Sequence, residues 1–338
     1  MPVVDMHAHV VPERFKEAIR GGHRWHGLDL RAGGVMHPAL GNSLNQRLEQ
    51  MAAWGVDLQL ITPSVGFYQY ANDPAVTDAI ARDCNDEIAE MTAAHPRSFA
   101  GLGTLPMQDI PLAVAELERV MTDLGLRGVM VSDHVKGQTY DEERFDPFFE
   151  AAESLDALIF FHQGGDTVVS QRIARYDLGN AVGNMTERIL VFAALVFGGV
   201  MDRYPKLRAL LGHGGGYTTF GAARLDKVAG ALEGGGPGKE LQPPFGWKPD
   251  ATFRLTRAPS SYLRRFLYDT CVYDGAVVRF LIDRVGVDRV VLGTDYPAPM
   301  SQVDPVRWLE GLRDLSAHER EAITTLNPSR ELGMAGTF

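Results

Sequence analysis

The chain has 338 residues, 45% of them hydrophobic, and a formal net charge of -10. This length is typical of one large domain, so we expect a single domain over residues 1–338. The lysines and arginines form no cluster, which argues against nucleic acid or an anionic membrane as a partner. No apolar run reaches the roughly 18 residues that span a bilayer, so a soluble cytoplasmic protein is predicted. Cys84 and Cys271 have no metal-binding spacing and are predicted to be reduced core residues.

The first predicted strand, residues 3–10, carries two histidines in alternate positions. Residues two apart in a strand point to the same face, so His7 and His9 can bind one cation together. An isolated pair of this kind is weak evidence for a metal site. The evidence becomes stronger if other candidate ligands lie near the pair in the fold. A buried strand so close to Met1 would leave no room for a signal peptide, which agrees with the predicted cytoplasmic location.

Residues 12–42, after this strand, are predicted to be an insertion. The segment from residue 20 onward is rich in glycine and weakly periodic, and a compact domain does not need so long a connection. We expect it to fold over the mouth of the site and to contribute Trp25 as a pocket wall. Its three histidines are expected to be solvated: His23, His26 and His37.

Strands and helices then alternate along the chain. The predicted helices cover residues 43–54, 73–95, 110–124, 145–154, 185–204, 218–232, 276–285, 303–315 and 317–325. The predicted strands cover residues 59–64, 99–104, 128–132, 157–161, 208–212, 266–269 and 289–293. Residues 233–262 have the composition of a surface excursion. Eight strands alternating with helices predict an α/β fold, a (β/α)8 TIM barrel with an insertion after strand 1.

Five polar residues fall at the carboxyl ends of predicted strands, where catalytic residues of such barrels lie. His7 and His9 end strand one, His162 follows strand five, His213 follows strand six and Asp295 follows strand eight. Each has a structural alternative: a strand cap, the first residue of a turn, or a core histidine with satisfied nitrogens. Together they predict a metal centre at one mouth of the barrel.

Several motifs, in order along nearly the whole chain, resemble the amidohydrolase superfamily and, within it, the aminocarboxymuconate-semialdehyde decarboxylase-like subgroup. They are Asp5-Met6-His7-Ala8-His9, Gly212-His213-Gly214-Gly215-Gly216, Leu292-Gly293-Thr294-Asp295-Tyr296-Pro297, and residues 99–108, 204–207 and 327–330.

The resemblance implies a role for each strand-end residue. His7, His9, His162 and Asp295 match metal ligands, and His213 matches the histidine that activates a metal-bound water. In relatives that act on aromatic acids, the ligand that matches Asp295 also delivers a proton. Three imidazoles and one carboxylate suit one divalent ion, Zn²⁺ first and Mn²⁺ as the alternative. Two-metal relatives have a carboxylated lysine after strand four, and Lys136 lies too far along to match it.

The substrate implied by the resemblance is a small carboxylic acid. Val35 stands where the subgroup has a carboxylate-binding arginine, so Arg31 is the nearest substitute, and Gln163-Gly164-Gly165 replaces an aromatic wall. The subgroup's namesake substrate is therefore not expected. Three functions remain open: a decarboxylase of an aromatic or muconate-type acid, a hydrolase of a ring-cleavage product, an amide or a lactone, and a non-catalytic metal-binding scaffold.

Arg224, on the helix after strand six, matches an arginine that in the subgroup reaches into a neighbouring subunit's site. A solvated helix arginine is the structural alternative. A helix rises about 1.5 Å per residue, so Arg224 should lie on the order of 10 Å from its own metal, and a neighbour's site is easier to reach. This predicts a homodimer or a higher homo-oligomer in which Arg224 binds the substrate carboxylate of the adjoining subunit.

Overall fold

A computed structural model describes residues 2–28, 42–173, 175–230 and 254–334, and within these ranges it contains eight parallel strands. The strands are β1 (Val4–Val10), β2 (Leu58–Pro63), β3 (Phe99–Gly101), β4 (Gly128–Val131), β5 (Leu158–Phe161), β6 (Arg208–Leu211), β7 (Phe266–Asp269) and β8 (Val290–Val291). Strands β1, β2 and β3 form one sheet, and strands β4 to β8 form the other. Within each sheet, every strand pairs with the strand that precedes or follows it in the sequence.

Backbone contacts join the two sheets at both edges. Gly103 bridges Val129 and accepts the amide of Met130 at 2.8 Å, which connects the end of β3 to β4. At the other edge, the Met6 amide donates to Leu292 at 2.8 Å, which connects β1 to the end of β8. These contacts link the two sheets at both edges, as expected for neighbouring strands of the predicted barrel.

Helices cover the outside of this barrel. They are α1 (Glu13–Arg20), α2 (Leu44–Trp54), α3 (Pro74–Ala94), α4 (Ile110–Thr122), α5 (Asp146–Ser154), α6 (Met185–Phe197), α7 (Val200–Arg203), α8 (Thr218–Val228), α9 (Gly275–Val285), α10 (Pro305–Gly311), α11 (Ala317–Glu321) and α12 (Asn327–Glu331). Their starts follow local capping rules: Ser43 and Ser316 form capping boxes, and Asp73 and Asp274 accept first-turn amides.

The helices differ from the sequence prediction mainly in three places. Helix α1 lies inside the predicted insertion, where no helix was expected. The predicted helix 185–204 is divided into α6 and α7 because Gly199 adopts a left-handed φ of 71°. The predicted helix 303–315 begins only at Pro305, whose ring suits a first helical turn, and ends at Gly311.

The core lies between the strands and the helices. Strands β4 and β5 are buried along their full length, as expected for strands covered on both faces. Cys84 and Cys271 are free and buried, as predicted. Among the described residues, no helix is long and apolar enough to cross a membrane. The predicted helix 218–232 and the excursion 233–262 fall partly outside the described residues.

Candidate metal centre

The carboxyl ends of three strands bring the four predicted ligands together. His7 and His9 lie in β1, His162 directly follows β5, and Asp295 lies beyond β8. All four are buried, and their ligand atoms lie within 4.8 Å of one another. The spacing of two in β1 places both imidazoles on the inner face, as the sequence predicted.

The outer nitrogens of His7 and His9 are fixed by hydrogen bonds. Nδ1 of His7 donates to Oδ2 of Asp269 at 2.7 Å. Nδ1 of His9 lies 2.8 Å from Oγ1 of Thr62, whose own hydroxyl is 3.4 Å from the Ala8 carbonyl. Nε2 of each imidazole therefore faces inwards, and the two Nε2 atoms lie 3.2 Å apart.

Asp295 brings negative charge to the same point. Its Oδ1 lies 3.3 Å from Nε2 of His7 and 3.0 Å from Nε2 of His9. No hydrogen bond in the part of the chain that the structure describes satisfies Asp295 Oδ1 or either ring nitrogen of His162. Converging lone pairs repel one another unless a cation lies between them. Two histidine nitrogens that bind one metal ion, each at about 2.1 Å from it, lie roughly 3 Å apart. The four side chains therefore fit a divalent metal ion.

Electrostatics in the site favour the metal-binding forms of three residues. Burial lowers the pKa of His9, and burial together with the neighbouring imidazoles holds that of His162 well below its usual value. Burial acts to raise the pKa of Asp295, but His7 and the other imidazoles hold it well below its usual range. Neutral imidazoles and an ionised carboxylate are the forms that bind metals.

His7 behaves differently because two carboxylates face it. Burial acts to lower its pKa, but Asp295 and Asp269 outweigh burial and raise the pKa to about 10. Nε2 cannot hold a proton and a metal ion at once, so a bound cation replaces this proton. The carboxylates that attract the proton attract the cation for the same reason.

His213 lies in the tight turn after β6. Its Nε2 is 3.5 Å from Oδ2 of Asp295, and its ring centroid is 4.9 Å from that of His162. The backbone of His213 has a left-handed φ of 56°, which is uncommon for a residue with a side chain and concentrates at functional sites. Gly215 is required in this turn, because a Cβ there would lie 2.6 Å from the Tyr268 ring.

Asp269, at the end of β7, connects the metal ligands to this turn. Besides His7 Nδ1, it accepts the backbone amides of His213 at 3.0 Å and Gly214 at 2.9 Å. Burial acts to raise its pKa, but the bond from His7 and the Gly214 amide act to lower it, and the net pKa is lowered. A Cβ on Gly293 would lie 2.6 Å from Asp269 Cβ and 2.9 Å from His7 Cβ, so only glycine fits there.

A buried polar network lies behind the ligands. Thr294 donates to Asp5 from its hydroxyl at 2.6 Å and from its amide at 3.0 Å, which anchors the segment that carries Asp295. Burial raises the pKa of Asp5 to about 6. Arg47 reaches the same network through Gln59 at 2.8 Å and also donates to the carbonyl of His9.

The predicted substrate residues have different surroundings. Trp25 is buried and makes edge-on contacts with Phe15 and Phe67 at 5.4 and 5.6 Å between ring centroids, in a small hydrophobic cluster apart from the main core. Arg224 is exposed on α8. Arg31 lies outside the described residues. The predicted substrate contacts of all three stay predictions.

Asp269 and Thr62 were assigned no role from the sequence. Both lie at the carboxyl ends of strands, Asp269 as the last residue of β7 and Thr62 as the second-last of β2. The strand-end rule that selected the ligands would have selected Asp269, a carboxylate that ends an apolar strand. Thr62 gave no comparable signal, because threonine is common in strands.

Known proteins share this fold and sequence pattern. A family model described as Amidohydrolase matches residues 4–334. A 2-amino-3-carboxymuconate-6-semialdehyde decarboxylase from Dictyostelium discoideum is 30% identical over 289 residues, covering 85% of this chain and 76% of the relative. The crystal structure of a 5-carboxyvanillate decarboxylase from Sphingomonas paucimobilis superimposes with a TM-score of 0.82 and 26% identity, covering 98% of this chain and 99% of that one.

A second solved structure is similar in fold. It is a dihydroxybenzoic acid decarboxylase from a Polaromonas species with bound manganese and the inhibitor 2-nitroresorcinol. Its TM-score is 0.79 at 22% identity, and the match covers 99% of this chain and 97% of that one.

Proposed function

Because the chain belongs to the amidohydrolase family, we propose that it is a metal-dependent decarboxylase of an aromatic or muconate-semialdehyde-type carboxylic acid. The observation that carries this proposal is the convergence of three imidazoles and one carboxylate on a point beside His213. The named relatives, which are decarboxylases of acids in these two chemical classes, support it.

We propose that His7, His9, His162 and Asp295 hold one divalent ion. Three imidazoles with one carboxylate suit zinc, as the sequence predicts, and the manganese in the Polaromonas enzyme makes Mn²⁺ the alternative. Ser132 and Asp133, rather than a lysine, follow β4, which supports a one-metal site. When bound, the metal would act as a Lewis acid that polarises oxygen atoms of the substrate or of water.

Decarboxylation exchanges a carbon–carboxylate bond for a carbon–hydrogen bond. A proton must therefore reach the carbon that bears the carboxylate, and CO₂ leaves with the bond broken. His213 is proposed to hold and transfer this proton, because its buried ring lies between Asp295 and His162 at the barrel mouth. Asp295, 3.5 Å from His213, is proposed to share the proton with it.

The substrate carboxylate needs a cation in a protein with a net charge of -10. We propose Arg224 of an adjoining subunit for this role, with Arg31 as a further substrate contact. The exposed position of Arg224 on α8 supports a role at a subunit contact. A guanidinium would bind a carboxylate through two parallel hydrogen bonds.

The proposed function is tested by the products formed from a panel of acids. Metal-loaded protein is incubated with hydroxylated benzoic acids and with muconate-type acids, and both CO₂ and new carboxylic acid are measured. We expect CO₂ equimolar with the decarboxylated product, and release about 10²–10⁴-fold slower with His213→Ala. New carboxylic acid without CO₂, from an ester or amide added to the panel, would contradict the decarboxylase and favour the hydrolase alternative.

A further inference from the structure

Arg188, near the start of α6, is the largest side chain that the described part of the chain buries completely. Its Nη1 donates to Oδ1 of Asp133, just after β4, and to the backbone carbonyl of Phe161, the last residue of β5. Burial raises the pKa of Asp133 to about 7, while Arg188 acts in the opposite direction. Buried ion pairs stabilise a fold no better than packed apolar residues, because both charges lose their hydration. Stability alone does not explain this pair.

The carbonyl that Arg188 holds lies where two functional strand ends meet. Phe161 directly precedes the predicted ligand His162, and the same carbonyl accepts the amide of Gly212 at 3.4 Å. Gly212 directly precedes His213. Nη1 of Arg188 therefore links Asp133, after β4, to the hydrogen bond between the Phe161 carbonyl and the Gly212 amide. These two residues directly precede His162 and His213.

His162 needs such support more than the other two imidazoles do. Asp269 fixes the ring of His7 and Thr62 that of His9, but no described residue forms a hydrogen bond with either ring nitrogen of His162. Outer hydrogen bonds of this kind normally orient a metal-binding histidine. The position of the His162 ring is therefore determined by the His162 backbone and by packing against neighbouring residues.

The backbone around His162 is held from two sides. The Tyr68 hydroxyl donates to the His162 carbonyl at 2.7 Å, and Arg188 holds the preceding carbonyl. The ring itself lies against the next strand, where a Cβ on Gly212 would be 3.3 Å from its Cδ2 atom. A shift of the β5 end would move the ring away from the other ligands.

We propose that Arg188 and Asp133 are positioning residues that hold His162 where it binds the metal. The proposal rests on the proposed metal site but not on the substrate. It predicts that a protein without the Arg188–Asp133 ion pair still folds but binds the metal ion more weakly.

The test is metal binding by the double variant Arg188→Met with Asp133→Leu, which removes both charges and leaves neither unpaired. Dissociation constants for Zn²⁺ and Mn²⁺ are measured by competition with a chelator, beside the urea unfolding midpoint. We expect a folded protein whose dissociation constants rise roughly 10–100-fold, as for other outer partners of metal ligands. Excess metal should restore kcat in large part, with KM nearly unchanged. A folded double variant with wild-type metal affinity overturns the proposal.

Arg188→Lys provides a second measurement if the double variant does not fold. The lysine keeps a positive charge beside Asp133, but its flexible ammonium replaces the rigid planar guanidinium and holds the Phe161 carbonyl less firmly. We expect metal binding several-fold weaker than in the wild type, and wild-type affinity in this variant overturns the proposal.

Arg119→Met is the matched control. Arg119 pairs with Glu116 and Asp86 between α3 and α4, on the outside of the barrel. This variant should lower the unfolding midpoint and leave metal affinity unchanged, whereas an equal loss of affinity here would overturn a role specific to Arg188. If the wild-type protein binds metal but releases no CO₂, the proposed decarboxylase function is refuted. The proposed positioning role of Arg188 and Asp133 is not affected by that result.

Discussion

At the scale of single residues, the site depends on which nitrogen of each histidine faces inwards. Nδ1 of His7 and Nδ1 of His9 are hydrogen-bonded to Asp269 and Thr62, so Nε2 of each ring is the nitrogen that faces the metal site. Asp269 also accepts the His213 amide at 3.0 Å, so one carboxylate orients a ligand and the proposed proton carrier.

Asp269→Asn tests this double role. The amide can still accept a hydrogen bond, but it lacks the charge that strengthens the bonds from His7 and His213. We expect metal affinity to fall roughly 10–100-fold while the protein remains folded. Chelator competition measures it, with Asp283→Asn on the surface of α9 as the control that should match wild type. Unchanged affinity in Asp269→Asn would show that His7 is oriented without this carboxylate.

His162 and His213 are expected to respond differently to truncation. His162→Ala should lose most bound metal and all turnover, because three remaining ligands hold the ion less well. His213→Ala should keep the metal and the fold while losing turnover by about 10²–10⁴-fold. Elemental analysis of both purified variants separates the two roles, and a metal-free His213→Ala protein would mean that His213 is a ligand.

The sequence predicted the convergence of these residues because strand ends of a parallel barrel share one rim. It did not predict the bond from His7 to Asp269, which joins residues 262 apart in the chain and depends on side-chain packing. Likewise, nothing local marks Arg188 as buried, since an arginine in a helix is usually exposed.

At the scale of elements, all eight predicted strands are present, with β3 and β8 shorter than predicted, whereas the insertion contains an unpredicted helix. Helix α1 contains no glycine and lies before the glycine-rich part of the predicted insertion, and its Phe15 packs with Trp25 and Phe67. The sequence predicted Trp25 as a pocket wall. Its burial in this cluster favours a packing role instead, because truncating a buried aromatic leaves a cavity.

Trp25→Ala should therefore lower the free energy of unfolding by about 3 kcal/mol. Urea denaturation measures the change, and Val303→Ala, at a residue 65% exposed, is the control that should change stability little. A raised KM with stability within about 1 kcal/mol of the wild type would restore the pocket-wall interpretation.

At the scale of the whole molecule, the protein has a net charge of -10, so it must provide a local positive charge to bind a substrate carboxylate. Arg224 shares its face of α8 with Phe220, which is 81% exposed, and Tyr217 lies just before that helix at 40% exposed. Exposed aromatic residues beside an arginine are typical of protein interfaces. This supports the proposed oligomer with shared sites.

Mixing two inactive variants tests whether sites are shared. Arg224→Ala and His213→Ala should each be nearly inactive alone. After reversible dissociation and mixing, half the dimers are mixed and each has one intact site under two-fold symmetry, so activity should recover to about a quarter of the wild type. Mixed dimers without recovered activity would place Arg224 in its own subunit's site or on the surface.

The central claim is that one metal ion, held by the four strand-end ligands, is required for decarboxylation. The most direct measurement titrates metal-free protein with Zn²⁺ or Mn²⁺ while following bound metal per chain and CO₂ release from an accepted acid. The account predicts that CO₂ release rises in proportion to occupancy and reaches its maximum at one ion per chain. Full activity without metal, or activity that appears only with a second ion, would contradict it.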